Sequence, residues 1–300
     1  MPSRMARHAR MAVVVLHLAV GIVNWQRVLA VSHAIRQKPV SRTQRMYDMD
    51  AAVFSPEGNL YQVEYATKSV LRGSLAVGLV ASDGVLLVAT NQKQSPLLLP
   101  ESVRKIVHVD GTIACAVSGL QPDGRLLVKQ ARAYLAHHDR LYEEVPSVDS
   151  IAAHLSNVCL LFNNYPEDPN EERKMHARPL GVGLLLAGWD DDGPALLFLN
   201  PAGSQGRWHA KAMGRDSEAA DKLLRSLLGT RDMLHLETAL PKVVKIFHDL
   251  LGDDFCTDRL EVTLLKRSAQ GEPHLRLLST QEIAQRVQMA DPEVTDVLST

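Results

Sequence analysis

The chain is poor in cysteine. It has three in 300 residues, Cys115, Cys159 and Cys256, and no CxxC pair. An odd number at wide spacing excludes a disulfide framework and a cysteine-based zinc site, and the apolar or mixed segments around them predict buried free thiols. Excess charge of one sign is also missing: 33 basic residues face 34 acidic ones, for a net charge of −1. Such a balance carries no nucleic-acid footprint and favours no partner by its sign. The longest leading apolar run, Met11 to Val23, is broken by His17 and Gly21. It falls short of the about 20 apolar residues a membrane-spanning helix needs. Common catalytic signatures are absent as well; no GxSxG, HExxH, P-loop or GxGxxG occurs. The pair His137-His138 lies in a helical pattern, where adjacent side chains point to different faces, so it is poor metal-ligand spacing. The run Asp190-Asp191-Asp192 precedes Gly193 in a tight turn and lacks the further oxygen ligands of a calcium loop. Neither a metal nor a cofactor is expected.

What is present is ordinary globular material, 46% hydrophobic and 22% charged, in a chain long enough to bury a substantial core without staples. Residues 1–46 read differently from the rest. Arg4, Arg7 and Arg10 precede the apolar run, and small residues follow near Ala30 and Ala34, a pattern that resembles a secretory signal. Three readings stay open: a targeting segment, a helical or disordered extension, or a stretch the mature protein lacks.

From Tyr47 onward the pattern is organised. Ser55-Pro56-Glu57 predicts a helix start with a serine cap, and Leu60, Val63, Thr67, Val70 and Leu71 recur at helical spacing up to Gly73. Two hairpins are predicted next: Ser74 to Ala81 with Val85 to Thr90 around Asp83-Gly84, and Lys105 to Asp110 with Ile113 to Ser118 around Gly111-Thr112. Amphipathic helices are expected over Asp123 to Tyr142 and from Ser147 to Phe162, then an acidic, proline-bearing loop from Asn163 to about Met175. Strands resume at Leu180 to Ala187, Ala195 to Asn200 and Gly206 to Met213. Helices are expected at Asp216 to Leu228 and Leu236 to Leu251, with Pro241 in the first turn of the latter or kinking it. A last hairpin, Arg259 to Lys266 with His274 to Leu278, precedes a short helix to Met289 and a polar tail, 291–300. Strand runs alternating with helix pairs argue for antiparallel sheets packed face to face under helices, not for a parallel βαβ sheet.

One segment is specific: Tyr47-Asp48, then Phe54-Ser55-Pro56-Glu57-Gly58-Asn59-Leu60-Tyr61-Gln62-Val63-Glu64-Tyr65-Ala66. It resembles the amino-terminal signature of 20S proteasome α subunits, YDR…FSP-D/E-GRL-x-QVEYA. Further stretches resemble the same family in order: Gly73-Ser74-Leu75-Ala76-Val77-Gly78 (GSTAxG), Ser118-Gly119-Leu120, Arg178-Pro179-Leu180-Gly181-Val182 (RPxGV), and Gly193-Pro194 with Asn200-Pro201-Ala202-Gly203 (GPxL…DPxG). The resemblance spans about Tyr47 to Met289, and the acidic insert before Arg178 is most like the α5 type. Departures are Met49 for the arginine of YDR, Asn59 for the arginine after Gly58, Asn200 for the aspartate of DPxG, and Arg215 for the usual serine after Gly214. Met49 leaves the arginine's part in the gate unfilled.

The resemblance implies an αββα sandwich of the N-terminal nucleophile hydrolase class, an α+β fold, over residues 47–290. Catalytic members of that class attack through a residue freed behind a glycine, whose own amine acts as base. Here Ser74 takes that place behind Gly73. Thr90 stands where the catalytic aspartate would be, and Lys105 remains. Freeing Ser74 would delete the whole Phe54 to Leu71 signature, so no catalytic residue is assigned. By the same resemblance Lys105, with Gly119 and Leu120, lines a pocket between neighbouring subunits that meets activator C-termini; a lysine ammonium suits a terminal carboxylate. Tyr47, Asp48, Pro56 and Tyr65 match the family's gate cluster. The implied protein is a non-catalytic subunit of a heptameric α ring on a β ring, in cytoplasm and nucleus. It would gate polypeptide entry and receive activators, with no nucleic-acid or membrane partner. Two other readings stand beside it: an active hydrolase using Ser74, and a secreted or membrane-tethered binding protein using residues 1–46.

Overall fold

The computed structural model describes residues 47–48, 51–91, 97–99, 102–163, 178–229, 234–268 and 272–290. The leader, most of the acidic loop and the polar tail lie outside these, and so do the readings made for them.

Among the described residues ten strands form two five-stranded antiparallel sheets. In chain order they are β1 (Ala76–Ala81), β2 (Gly84–Thr90), β3 (Ile106–His108), β4 (Ala114–Gly119), β5 (Val182–Asp190), β6 (Gly193–Leu199), β7 (Gln205–Arg207), β8 (Ala210–Met213), β9 (Leu260–Arg267) and β10 (Pro273–Leu277). One sheet runs β10-β9-β2-β1-β8 and the other β3-β4-β5-β6-β7. The helices are α1 (Tyr61–Arg72), α2 (Gln121–Tyr142), α3 (Val148–Asn163), α4 (Ser217–Leu228), α5 (Leu236–Leu251) and α6 (Thr280–Ala290).

Layering follows from which faces are apolar. β1 and β2 are buried at every position, because one face meets helices and the other meets the second sheet. Their sequences are accordingly continuous apolar runs without alternation. Ala76, Leu87, Ala116, Leu185 and Leu196 pack between the sheets. Leu79, Leu86 and Val262 face α4, α5 and α6 through Leu224, Val243, Phe247 and Ile283. Val117, Leu184 and Leu197 face α2 and α3 through Leu127, Ile151 and Leu155. The result is the expected αββα sandwich.

Three local expectations are corrected. The first helix begins at Tyr61, not at Ser55. Gly58 adopts φ +83°, which a right-handed helix cannot pass, and the Gly58 N–H donates to the Ser55 carbonyl at 2.8 Å to close a turn. The Ser55 hydroxyl caps that turn instead, accepting from Asn59 N–H at 3.0 Å. The predicted strand from Gly206 to Met213 is two strands in different sheets: β7 pairs with β6, and β8 with β1. The switch occurs at Trp208 and His209, where Trp208 N–H donates to the Leu196 carbonyl (2.9 Å) and the His209 carbonyl accepts from Val80 N–H (2.7 Å). Of the cysteines, Cys115 and Cys159 are buried, with thiols pushed up to about 12 and about 11 mainly by burial, but Cys256 is only half-buried. Pro241 lies inside α5, where its ring removes one hydrogen bond from the ladder.

Candidate functional site

Gly73 and Ser74 connect α1 to β1, and most of the singled-out residues converge on them. Gly73 N–H donates to the Val70 carbonyl at 3.0 Å, ending α1, and the Gly73 carbonyl accepts from Arg215 N–H at 2.8 Å. A Cβ on Gly73 would lie 2.3 Å from Ser118 Oγ and 2.7 Å from Gly119 N, so only glycine allows this approach. The Ser118 hydroxyl donates to the carbonyls of Val70 (3.2 Å) and Ser74 (3.3 Å). Lys105 Nζ also donates to the Ser74 carbonyl.

Lys105 is buried, with 4% of its surface exposed. Burial pulls its ammonium pKa down to about 7, against the opposing pull of the Glu261 carboxylate. Glu261, from β9, accepts the backbone N–H groups of Lys105 (2.9 Å) and Ile106 (2.9 Å) and the Asn91 side-chain amide. It thus ties the start of β3 to the other sheet. Sequence reasoning missed Glu261, because nothing local marks a residue so far along the chain as Lys105's neighbour. Gly119 follows Ser118 at φ +111°, and Leu120 beyond it is 43% exposed. Leu120 N–H donates to the Gly181 carbonyl at 2.9 Å. Lys105 and Gly119 therefore meet Gly73-Ser74 directly, with the amine inside, and Leu120 follows at the surface against Gly181.

Beside Ser74 lies a cavity of about 250 Å³ that Thr90, Arg215, Asp216, Asp254 and Arg259 also line. Thr90 holds the place the resemblance gives to the catalytic aspartate, and its hydroxyl donates to the Asn91 carbonyl (3.4 Å). Ser74 is an internal residue whose nitrogen is a peptide amide joined to α1 through Gly73, and the Lys105 amine addresses its carbonyl, not its hydroxyl.

Of the four residues that match the family's gate cluster, Tyr65 and Asp48 meet: the Tyr65 hydroxyl donates to Asp48 Oδ2 at 3.2 Å. Gln62 Nε2 donates to the Asp48 carbonyl, and Tyr61 stacks on Tyr65 with ring centroids 6.4 Å apart. Pro56 is exposed in the Ser55–Gly58 turn, and Tyr47 is half-buried beside Asp48 in the chain.

Comparison with known proteins identifies the family. The family model described as "Proteasome subunit" matches residues 70–264, and the model for the N-terminal signature of the A-type proteasome subunits matches residues 47–68. The probable alpha type-5 proteasome subunit of Schizosaccharomyces pombe is 35% identical over 234 residues, covering 78% of this chain and 92% of the relative. The alpha type-5 proteasome subunit of Drosophila melanogaster is 33% identical over 245 residues, covering 82% and 97%. That of Dictyostelium discoideum is 38% identical over 183 residues, covering 61% and 73%. With the α signature at its head and the sandwich behind it, the chain belongs to the proteasome subunit family, as an α-type member similar to the type-5 subunits.

Proposed function

We propose that this chain is a non-catalytic subunit of the heteroheptameric α ring of the 20S core particle, where it stacks on the β ring, restricts polypeptide entry and receives activator C-termini. What supports the non-catalytic reading is the surroundings of Ser74: Thr90 stands where the resemblance puts the catalytic aspartate, and the Lys105 amine donates to the Ser74 carbonyl. Intact-mass and amino-terminal sequencing of the chain within the native particle test it. Retention of residues 47–72 is expected; a mature terminus at Ser74 would establish the hydrolase reading instead. As a second check, Ser74→Ala in the particle leaves peptide hydrolysis unchanged.

The docking pocket in this reading is Lys105 with Gly119 and Leu120. The Lys105 ammonium is poised near neutrality by burial, so an arriving terminal carboxylate supplies the missing counter-charge and stabilises the protonated amine. Docking would exchange the Ser74 carbonyl for that carboxylate. Tyr47, Asp48, Pro56 and Tyr65 form the gate cluster; the Tyr65–Asp48 hydrogen bond supports that grouping. The same reading assigns the chain to cytoplasm and nucleus. Among the described residues no helix is long and apolar enough to cross a membrane.

A further inference from the structure

Between β3 and the N-terminal half of α2 runs a groove of about 940 Å³. Five basic side chains line it: Arg104, His108, Arg125, Lys129 and Arg132. No acidic residue is among the described lining residues. The whole chain is nearly neutral, with 33 basic and 34 acidic residues, so this is a local concentration and not a general bias. Arg125, Lys129 and Arg132 stand four and three residues apart on one face of α2, and all are exposed. Like charges at that spacing oppose the helix that carries them unless something neutralises them. Arg132 spends one N–H on the His108 carbonyl at 2.6 Å. The His108 imidazole is held below its ordinary range by burial and then by the Arg104 charge.

The rest of the lining chooses among anions. Ile106, Val107, Val117 and Val128 give the groove an apolar lining. No phenylalanine, tyrosine or tryptophan lies among the described lining residues, so the broad ring platform on which successive nucleic-acid bases stack is missing there. An aliphatic anchor flanked by carboxylates suits both halves of the lining. The groove also adjoins the docking pocket, since Arg104 precedes Lys105 and Gln121 follows Leu120. We infer that this groove seats an acidic peptide segment, carrying an aliphatic side chain, of the neighbouring chain in the ring. This inference rests on the ring assignment proposed above.

Two experiments on the assembled particle test it. In the first, Lys129→p-benzoylphenylalanine is incorporated, irradiated, and the cross-linked peptide sequenced. An acidic segment of a neighbouring ring chain is expected. No intermolecular cross-link, a link to a neutral or basic peptide, or a link to nucleic acid overturns the inference. In the second, the chain carrying Arg125→Glu and Lys129→Glu competes with the wild-type chain for entry into the particle. At least a tenfold disadvantage is expected, with a smaller one for the Arg125→Gln, Lys129→Gln pair and unchanged thermal melting of the free chains. Equal incorporation overturns the groove assignment and leaves the ring assignment standing. Absence of the wild-type chain from the particle overturns the ring assignment itself, and the groove assignment with it.

Discussion

Arg178 grips Asp123 with both arms of its guanidinium: Nη1 lies 2.7 Å from Oδ2 and Nη2 lies 3.0 Å from Oδ1. The same carboxylate accepts Gly181 N–H at 2.8 Å. Asp123 sits in the first turn of α2, where the helix dipole also favours negative charge. The clamp therefore fastens the approach to β5 onto the start of α2. Because the Gly181 carbonyl in turn accepts Leu120 N–H, the clamp also fixes the surface residue of the proposed docking pocket.

Asp123→Ala should destabilise the chain by about 2–3 kcal/mol, since it strands the buried Gly181 N–H as well as losing Arg178. Chemical denaturation measures this. Burial works to raise the Asp123 pKa, but the Arg178 hydrogen bonds, the Gly181 N–H and the Arg178 charge together hold it below the ordinary carboxylate range. A depressed carboxylate adds stability that is present above its unfolded value, ~3.9, and lost as pH falls through its folded value. Asp123→Asn should therefore flatten part of the acid limb of the stability curve.

Lys105 predicts a slope at the other end. Its folded pKa of about 7 lies below the ordinary lysine value of 10.5, so the unfolded chain binds more protons between the two. Stability should consequently rise as pH climbs from about 7 towards 10.5. Lys105→Met, which removes the buried charge, should abolish this rise in thermal melts. The same proton should appear on docking: binding of an activator C-terminal peptide to the particle takes up protons near neutrality and weakens at higher pH. Calorimetry in buffers of different ionisation enthalpy reads the uptake. Binding without proton uptake would remove Lys105 from the docking contact.

The Tyr65–Asp48 bond predicts a gating effect. Tyr65→Phe keeps the ring stacked on Tyr61 but removes the 3.2 Å hydrogen bond, a loss of about 1 kcal/mol. If that bond helps to hold the open gate, activator-stimulated hydrolysis of a short fluorogenic peptide should fall severalfold. The unstimulated rate should not change. An equal response in wild type and variant would separate the bond from gating.

Gly119→Ala should be poorly tolerated. Gly119 sits at φ +111°, and a Cβ there would lie 2.2 Å from the Gly181 carbonyl oxygen. The backbone conformation alone costs about 1–2 kcal/mol, and the clash must displace β4 from β5 at its last pair, Gly119–Val182. A fall in melting temperature of several degrees is expected.

Much of the sandwich was legible in the sequence because its signals are local. Asp83-Gly84 and Asp192-Gly193 mark hairpin turns that the structure contains, and the apolar stripes of α2 and α3 face a sheet as their spacing requires. The start of α1 was misplaced because Ser55-Pro56 is as good a turn opening as a helix cap, and Gly58 decides between them. The break at Trp208-His209 was invisible because a strand that changes sheets keeps its extended character throughout. At the candidate site, Ser74, Thr90, Lys105, Gly119 and Leu120 were found through motifs. The pairs around them were not: Glu261 meets Lys105, and Asp123 meets Arg178 next to the Gly181 that holds Leu120, only after the chain has folded back, and no periodicity announces either pair.

The passage of one strand from sheet to sheet at Trp208-His209 has a mechanical meaning. Two consecutive residues, Trp208 bonded through its N–H to Leu196 and His209 through its carbonyl to Val80, stitch the layers together through the main chain. Apolar packing alone resists pulling sheets apart better than sliding them, because side chains can trade neighbours during a slide. A covalent seam with hydrogen bonds on both sides blocks that slide at this edge. At this edge the two sheets are therefore coupled through the main chain as well as through their packed side chains.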